Sequence, residues 1–329
     1  MENEKVTGSA QTEAPVTEAE VTETAEAPAA PEKKPVCDVI KKRRWGDRRD
    51  GRRVRTLSVM AQLIPYIMRE RSDTQNHLEE KFNVDRVLEY INEKRRAGYQ
   101  GFGFMHFMMA TYVRAVAEYP GINRFVNGQR VYTRDGWVEI SLVVKQEMVL
   151  ESPDSVIKLT LSPDATALDV YDELYNKIND YRAEMDSSFD NLMRVINFIP
   201  GIFKRFTVGL LYFLDYWGLL PRFLTRLSPF HSSFYVTSMG SLGIPSIYHH
   251  LYNFGNVPIF CSFGTKHRET ELRRDGSVTE HSYIDVKFVM DERICDGFYF
   301  AAALKYMKRF FRDPWLLDTP PAVVKRDID

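Results

Sequence analysis

The sequence predicts an α/β protein with one large domain behind a polar N-terminal tail. Helical and strand patterns alternate along most of the chain, which favours a mixed architecture over an all-helical or all-strand one. Of the 329 residues, 44% are apolar and 13% aromatic, enough for one sizeable core. No internal repeat is found, which argues against solenoids and propellers.

The first 35 residues predict a disordered tail, and residues 36–329 predict a single domain. The tail is rich in Glu, Ala, Thr and Pro and contains no aromatic residue. Such a segment buries too little apolar surface to offset the entropy lost on ordering.

A basic run follows the tail, comprising Lys41–Arg44 and the arginines between Arg48 and Arg55, broken by Asp47 and Asp50. Two interpretations stay open: a phosphate-binding strip, or a segment that pairs with acidic residues of the fold. Nucleic-acid binding is disfavoured, because 44 Lys and Arg against 45 Asp and Glu give no global field that attracts a polyanion.

The first half of the domain predicts helices around one strand. A helical pattern begins at Val59, and Asn76–Val84 reads as a strand. An amphipathic helix then ends near Gly98, and Phe102–Glu118 is helical and apolar almost all round, which is typical of a buried helix.

The second half predicts five strands and two helices. A helix opens at Ser162-Pro163-Asp164 and runs to about Met185, and a final helix starts at Gly297. The strands are predicted at Trp137–Val144, Val156–Leu161, Ser233–Met239, Pro258–Phe263 and His281–Met290.

The apolar run Phe206–Leu214, bounded by Arg205 and Asp215, is too short to span a membrane. It predicts a core element or a subunit contact, with an interfacial membrane helix as the alternative. Three cysteines, Cys37, Cys261 and Cys295, suit neither a disulfide framework nor a zinc site. Together with the lack of a secretory signal, they favour the cytoplasm.

Four segments resemble the 2-oxo acid dehydrogenase acyltransferases, in that family's order. Asp291–Gly297 resembles the D-H-R-x-x-D-G signature, related to the H-x-x-x-D-G of chloramphenicol acetyltransferase. Phe234–Gly243 is similar to F-T-I-S-N-L-G-x-x-G, and Asn253–Phe260 to the strand that follows it. Phe107–Asn123 is similar to the helix that ends in h-P-E-L-N. Four such matches in sequence make the resemblance specific.

The resemblance implies a chloramphenicol acetyltransferase-like, two-layer α/β sandwich: a mixed sheet with helices on one side, assembled as a homotrimer with active sites between subunits. It implies coenzyme A or acyl-CoA as substrate, with a thiol, amine or hydroxyl as acceptor. No segment resembles a lipoyl domain, so no covalently bound lipoate is expected. No metal, nucleic acid or membrane span is expected either.

Glu292 stands at the position of the family's catalytic histidine. A thiol of pKa about 8.5 gives its proton to a histidine with a deficit of about 2 pKa units, but to a solvated glutamate with a deficit of about 4, roughly 5.7 kcal/mol. Burial can raise the pKa of a glutamate enough to make it a base. The alternative is that Glu292 is a structural ion-pair residue beside Arg293.

The remaining site residues follow from the same resemblance. Thr237, or Ser238 if the alignment shifts by one, matches the hydroxyl that stabilises the oxyanion. Asp296 matches an aspartate that pairs with an N-terminal arginine, here Arg53 or Arg55, as structural support.

Three further positions complete the candidates. Gly297 matches the glycine that lets the active-site loop turn into its helix. His249 and His250, within a tyrosine and double-histidine stretch similar to that of short lipoyl-free relatives, are alternative bases. Cys295 is a conceivable nucleophile, although buried cysteine is usually inert.

Two functions therefore remain open. The first is an acyltransferase that moves a short acyl group between coenzyme A and an acceptor, with Glu292 or His250 as base and Thr237 at the oxyanion. The second is a catalytically silent trimeric relative that binds acyl-CoA, an acyl carrier or a protein partner.

Overall fold

The computed structural model describes residues 44–134, 136–145, 154–184, 194 and 197–328. The predicted tail, Cys37 and Lys41–Arg43 lie outside these residues. The division into a tail and one domain therefore stays a prediction.

In the part of the chain that the structure describes, nine strands form two sheets. They are β1 Arg52–Arg53, β2 Gln75–Asn83, β3 Arg124–Asn127, β4 Arg130–Thr133, β5 Val138–Lys145, β6 Asp154–Leu161, β7 Phe234–Ser238, β8 Ile259–Leu272 and β9 Val278–Asp291. The main sheet has six strands in the order β2-β9-β8-β7-β5-β6, and β1, β4 and β3 form a small second sheet. The main sheet is mixed, because β7 pairs parallel with β5 and β8 whereas the other pairs are antiparallel.

Seven helices accompany the sheets among the described residues. They are α1 Val59–Ile67, α2 Asp85–Arg96, α3 Phe104–Glu118, α4 Ala167–Glu184, α5 Gly201–Tyr216, α6 Arg222–Leu227 and α7 Gly297–Arg312. Helices α2, α3, α4 and α7 share one hydrophobic core with the main sheet. The predicted mixed sheet with helices on one side is confirmed.

Alternation along the central strands gives the main sheet two different faces. Val236, Cys261 and Phe288 are buried in the core beneath the helices. Their neighbours Tyr235 and Phe260 point the other way, into a smaller cluster, because successive side chains of a strand lie on opposite faces. We call this second side, which bears Tyr235 and Phe260, the open face.

Strands β8 and β9 extend well beyond their predicted bounds. Past Phe263 and before His281 they continue as a hairpin that turns at Gly276. Its exposed strands are held by backbone pairing and by polar cross-strand contacts such as Arg268 Nη1 to Glu280 Oε2, 3.1 Å. The apolar alternation stops where the strands leave the core, so the sequence pattern does not predict the outer part of this hairpin.

The apolar run before Asp215 forms the middle of α5, but it does not enter the core. Within α5 only Asp215 is buried, whereas most apolar side chains of the helix are exposed. The interpretation as a core element is therefore wrong, because the apolar side chains of this helix lie at the surface. None of the described helices combines the length and apolar character needed to cross a membrane.

Candidate functional site

The loop between β9 and α7 is held by a buried aspartate that ends β9. Asp291 accepts from Arg293 through both oxygens, at 2.8 Å from Nε and 2.7 Å from Nη2. Thr74 Oγ1 donates to the same carboxylate at 3.0 Å, and Arg71 Nε lies 3.4 Å from it. Asp291 is fully buried, so these partners neutralise a charge that would otherwise be costly.

The two arginines also fasten the loop to its surroundings. Arg293 Nη1 donates to the carbonyls of Met68 and Arg69, each at 3.0 Å. Arg71 donates to the carbonyls of Tyr252, at 2.5 Å, and of Val126, at 2.8 Å. Burial lowers the pKa of Arg71 to about 10, which leaves it charged at neutral pH. The loop is thus fixed before any ligand binds.

Glu292 follows this anchor but does not join it. Its backbone N–H donates to Thr74 O at 3.0 Å, and its side chain is half-buried. The Glu292 carboxylate has no ion pair with any described residue, and the guanidinium of Arg293 is already occupied by Asp291 and two carbonyls. The interpretation of Glu292 as an ion-pair partner of Arg293 is therefore wrong.

The predicted brace through Asp296 is also wrong in its partners. Asp296 is exposed and caps α7, accepting a hydrogen bond from Tyr299 N at 2.7 Å. Arg55 pairs instead with Asp47 at 2.8 Å, and among the described residues neither Arg55 nor Arg53 forms an ion pair with Asp296. The bracing role falls to Asp291, one of the residues that sequence reasoning missed.

Gly297 does not supply the tight turn that the resemblance implies. Its φ lies outside the left-handed region, and a Cβ placed on it would meet open space. Among the residues that the structure describes, none lies close enough to the start of α7 to require a glycine there.

Thr237 begins a polar row that crosses the open face. It pairs with Ser262 of β8, which pairs with Lys287 of β9, which pairs with Glu79 of β2. Ser262 Oγ accepts from Ile247 N at 3.0 Å, and Lys287 Nζ lies 3.8 Å from the Glu79 carboxylate. Thr237 is buried in this row. Its neighbour Ser238 accepts from Ser241 N at 3.3 Å, so the Ser238 hydroxyl serves the turn after β7.

Residues 244–253 lie across the open face as one extended segment. Gly264 makes the crossing possible: a Cβ at this position would lie 2.5 Å from Ser246 N. Lys287 Nζ donates to Ser246 O at 3.2 Å and sits 4.8 Å from the centre of the Tyr248 ring. The segment is thereby tied to β8 and β9.

The two histidines of this segment differ in their environment. The His249 ring stacks on Phe260 with centroids 4.0 Å apart, and burial lowers the pKa of His249. His249 Nδ1 lies 3.1 Å from His250 O, which favours the tautomer that leaves Nε2 as an acceptor. His250 is exposed and meets Tyr252 edge-on at 4.8 Å. The lowered pKa of His249 favours its neutral form.

Thr237 and Glu292 do not meet within one chain. The pairing of Thr237 with Ser262 and of Ser262 with Lys287 separates Thr237 from Lys287 by two strand spacings. Asp291 is four residues farther along β9. At about 4.8 Å per strand and about 3.3 Å per residue, the Cα atoms of Thr237 and Asp291 lie about 16 Å apart. A hydroxyl and a carboxylate cannot contact one reacting atom across this distance.

The other nucleophile candidate is unsuitable. Cys295 is a buried free cysteine, and burial raises the pKa of its thiol to about 12. The thiolate form is therefore scarce at neutral pH.

The basic run pairs largely with the fold. Arg48 is buried and binds Asp50 at 2.9 Å and Asp215 of α5 at 3.0 Å. Asp215 also lies 3.3 Å from His231 Nε2, and His231 Nδ1 lies 2.8 Å from Ser228 Oγ. This buried Ser-His-Asp arrangement, which sequence reasoning missed, lies beneath the surface and anchors α5.

A cavity of about 790 Å³ opens beside the basic run. Nine cationic and five acidic side chains line it, among them Arg222 and Arg226 of α6. The lining is therefore net cationic, which is the charge that a phosphate group requires.

Comparison with known proteins finds likeness in structure alone. No family model matches the sequence, and no curated protein is similar to it. The dihydrolipoamide acetyltransferase of Azotobacter vinelandii superposes with a TM-score of 0.51 at 11% identity, covering 88% of this chain and 99% of that one. That structure was studied for the catalytic role of a serine, a histidine and an asparagine.

Two further structures give lower scores. A probable dihydrolipoamide acetyltransferase from Listeria monocytogenes gives a TM-score of 0.49 at 13% identity, over 75% of this chain and 90% of that one. A chloramphenicol acetyltransferase gives 0.42 at 12% identity, over 78% and 99%. The chain therefore has the α/β fold of the dihydrolipoamide acetyltransferase from Azotobacter vinelandii.

Proposed function

We propose that the protein is an acyltransferase that moves a short acyl group between coenzyme A and a thiol, amine or hydroxyl acceptor. The observation that supports this most is the state of Glu292: it stands on a rigidly held loop, and its carboxylate has no ion pair among the described residues. A charged group that the fold leaves unused at such a place is available for chemistry.

The reaction requires a base and an oxyanion donor. In the proposed mechanism Glu292 takes the proton of the attacking thiol, amine or hydroxyl as its sulfur, nitrogen or oxygen bonds to the thioester carbonyl carbon. Thr237 donates a hydrogen bond to the oxyanion that forms. The thioester C–S bond then breaks, and the departing thiolate takes back the proton held by Glu292. His250 is the alternative base. His249 lies in the same segment, and its hydrogen bond to His250 O leaves Nε2 free to accept a proton.

The separation of Thr237 and Glu292 leads us to propose that each site is built from two copies of the chain. One copy contributes Glu292 and its loop, and the next contributes Thr237 with the polar row of the open face. A homotrimer is the assembly that the resemblance implies. Coenzyme A as substrate and the cytoplasm as location belong to the same proposal.

A silent, ligand-binding relative is the second candidate. The replacement of an imidazole by a half-buried carboxylate favours it, because a solvated glutamate is a weak base toward a thiol. Such a protein would bind acyl-CoA, an acyl carrier or a protein partner without turnover.

Mixing two inactive variants tests the shared site. Glu292→Gln and Thr237→Ala are each expected to lose acyl exchange with acetyl coenzyme A. Co-expressed in equal amounts, they should restore activity, since about a quarter of the interfaces then pair an intact Glu292 with an intact Thr237 from the neighbouring copy.

Controls separate the alternatives. A chain that carries both substitutions, mixed with either single variant, should stay inactive. No activity in the equal mixture would contradict the shared site, and full activity of Glu292→Gln alone would contradict Glu292 as base. A wild type that binds coenzyme A by calorimetry without exchange would favour the silent relative.

A further inference from the structure

We propose that helix α5 and the basic cavity beside it form a peripheral binding surface for anionic lipid membranes. The proposal concerns a part of the molecule separate from Glu292 and Thr237, and it stands whether or not the protein is an acyltransferase.

The first observation is an apolar stripe along the outer side of α5. At 100° per residue, its members fall within an arc of about 100°. They are highly exposed, with Ile202 at 86%, Phe206 at 71%, Phe213 at 58% and Trp217 at 62%. Phe203 and Leu210 complete the stripe. Exposing so many aromatic side chains to water is unfavourable, so a patch of this kind marks a surface that binds a partner or a membrane.

The second observation is the charge around the stripe. Residues 197–228 contain Lys204, Arg205, Arg222 and Arg226 but one acidic residue, Asp215, which is buried. Arg205, Arg222 and Arg226 are exposed, and none of them has an acidic partner among the described residues. An apolar helix face with neighbouring cations is the pattern of helices that lie in a membrane interface.

The third observation joins these two. Arg222 and Arg226 belong to both the surroundings of α5 and the lining of the 790 Å³ cavity, in which cationic side chains outnumber acidic ones nine to five. Arg222 and Arg226 suit the phosphate of a lipid headgroup, and the stripe suits the acyl chains of the bilayer. Tyr216 and Trp217, at the end of α5, are the residue types that favour the membrane–water boundary.

The helix is also anchored so that the stripe stays outward. Arg48 binds Asp215 from beneath, and Tyr216 Oη donates to Gln129 Oε1 at 2.9 Å. The helix therefore presents a rigid face. A second copy of this chain would need to supply both an apolar groove and acidic groups at the right spacing, whereas an anionic bilayer supplies both everywhere on its surface.

Co-sedimentation of the full chain with vesicles tests the proposal. Vesicles of phosphatidylcholine with about one third phosphatidylglycerol should bind the wild type at least about tenfold more tightly than pure phosphatidylcholine. Phe206→Glu with Phe213→Glu should reduce that binding by about tenfold or more, and Arg222→Glu with Arg226→Glu should abolish the preference for anionic lipid. Leu272→Glu, at an exposed apolar position of the distant hairpin, is the matched control and should bind as wild type.

Circular dichroism and light scattering of the same variants complete the test. Wild type that remains in the supernatant with anionic vesicles overturns the proposal, as does unchanged binding of the Phe206/Phe213 double variant. A folded double variant with a smaller mass than wild type, together with no vesicle binding by either, would show instead that α5 contacts a second copy.

Discussion

The proposed chemistry depends on Glu292, and substitutions at this residue test its role as the base. If it is the base, Glu292→Gln should abolish thiol-dependent exchange with acetyl coenzyme A. Glu292→His should retain or increase it, because imidazole starts about 2 pKa units closer to the thiol. Initial rates of exchange across pH 5 to 9 provide the measurement.

The hypothesis that His250 is the base predicts the opposite results. If His250 is the base, His250→Gln removes activity and Glu292→Gln is tolerated. The pH profile of the exchange rate then breaks at about 6.5, the ordinary pKa of a histidine. Because burial lowers the pKa of His249, a break well below that value, together with loss in His249→Gln, would assign the proton to His249 instead.

Asp291 and Asp296 differ in what they hold, so their substitutions should differ in stability. Asp291→Ala leaves Arg71 and Arg293 buried without their anion and should cost about 3 kcal/mol or more. Asp296→Ala removes only the cap of α7 and should cost about 1 kcal/mol. Urea unfolding of both variants compares them, and equal losses would contradict the assignment of the brace.

These residues also show what the sequence reveals and what it does not. The resemblance of Asp291–Gly297 locates the loop, and the loop lies where that predicts, between β9 and α7. It does not reveal that Asp291 carries the charge pairing, because Arg71 and Thr74 lie far away in sequence, in a single 3₁₀ turn, Arg71–Thr74, that has no recognisable pattern. Pairing between remote residues is a property of the folded chain.

At the scale of elements, Asp215 at the end of α5 links that helix to the domain in a pH-dependent way. Burial raises the pKa of Asp215, but His231 and Arg48 beside it more than offset this and lower it to about 2. The resulting stabilisation is complete above the unfolded pKa of about 3.9 and is lost as the pH falls toward 2.

Comparing the wild type with Asp215→Asn isolates this effect from other carboxylates. The difference between their free energies of unfolding should narrow by up to about 2 kcal/mol between pH 5 and pH 2. Urea titrations at several pH values measure it. A difference that does not change with pH would show that Asp215 contributes by packing alone.

Elements with a strong apolar period were predictable, and polar or locally unusual ones were not. Helix α3 is buried on nearly every side, as its apolar sequence predicts. The short strands β3 and β4 were missed because four residues are too few to show a period, although most of their side chains are buried. The outer half of the β8–β9 hairpin was missed because backbone pairing and polar contacts hold it. The sequence of α5 has an apolar pattern, but the apolar side chains are exposed. A sequence pattern does not show whether an apolar helix face is covered.

For the whole molecule, the fold was predictable because four weak motifs in order constrain one topology, and the observed sheet agrees with it. The oligomeric assembly is harder to predict, because the sequence of one chain does not show which of its surfaces contact another copy. The strongest sign of a multi-chain site is the separation of about 16 Å between Thr237 and the end of β9, which one subunit cannot close.

Activity should therefore depend on assembly. Light scattering at micromolar concentration should report a trimer, and removal of residues 1–35, which lack core-forming side chains, should change neither its mass nor its melting temperature. On dilution, specific activity should fall in parallel with the loss of trimer, because a separated subunit holds Glu292 without the Thr237 of its neighbour. Coenzyme A added at saturation should shift both curves to lower protein concentration by the same factor, since a ligand that binds between subunits stabilises their contact. Specific activity that stays constant while the trimer dissociates would place the complete site within one chain and contradict the shared arrangement.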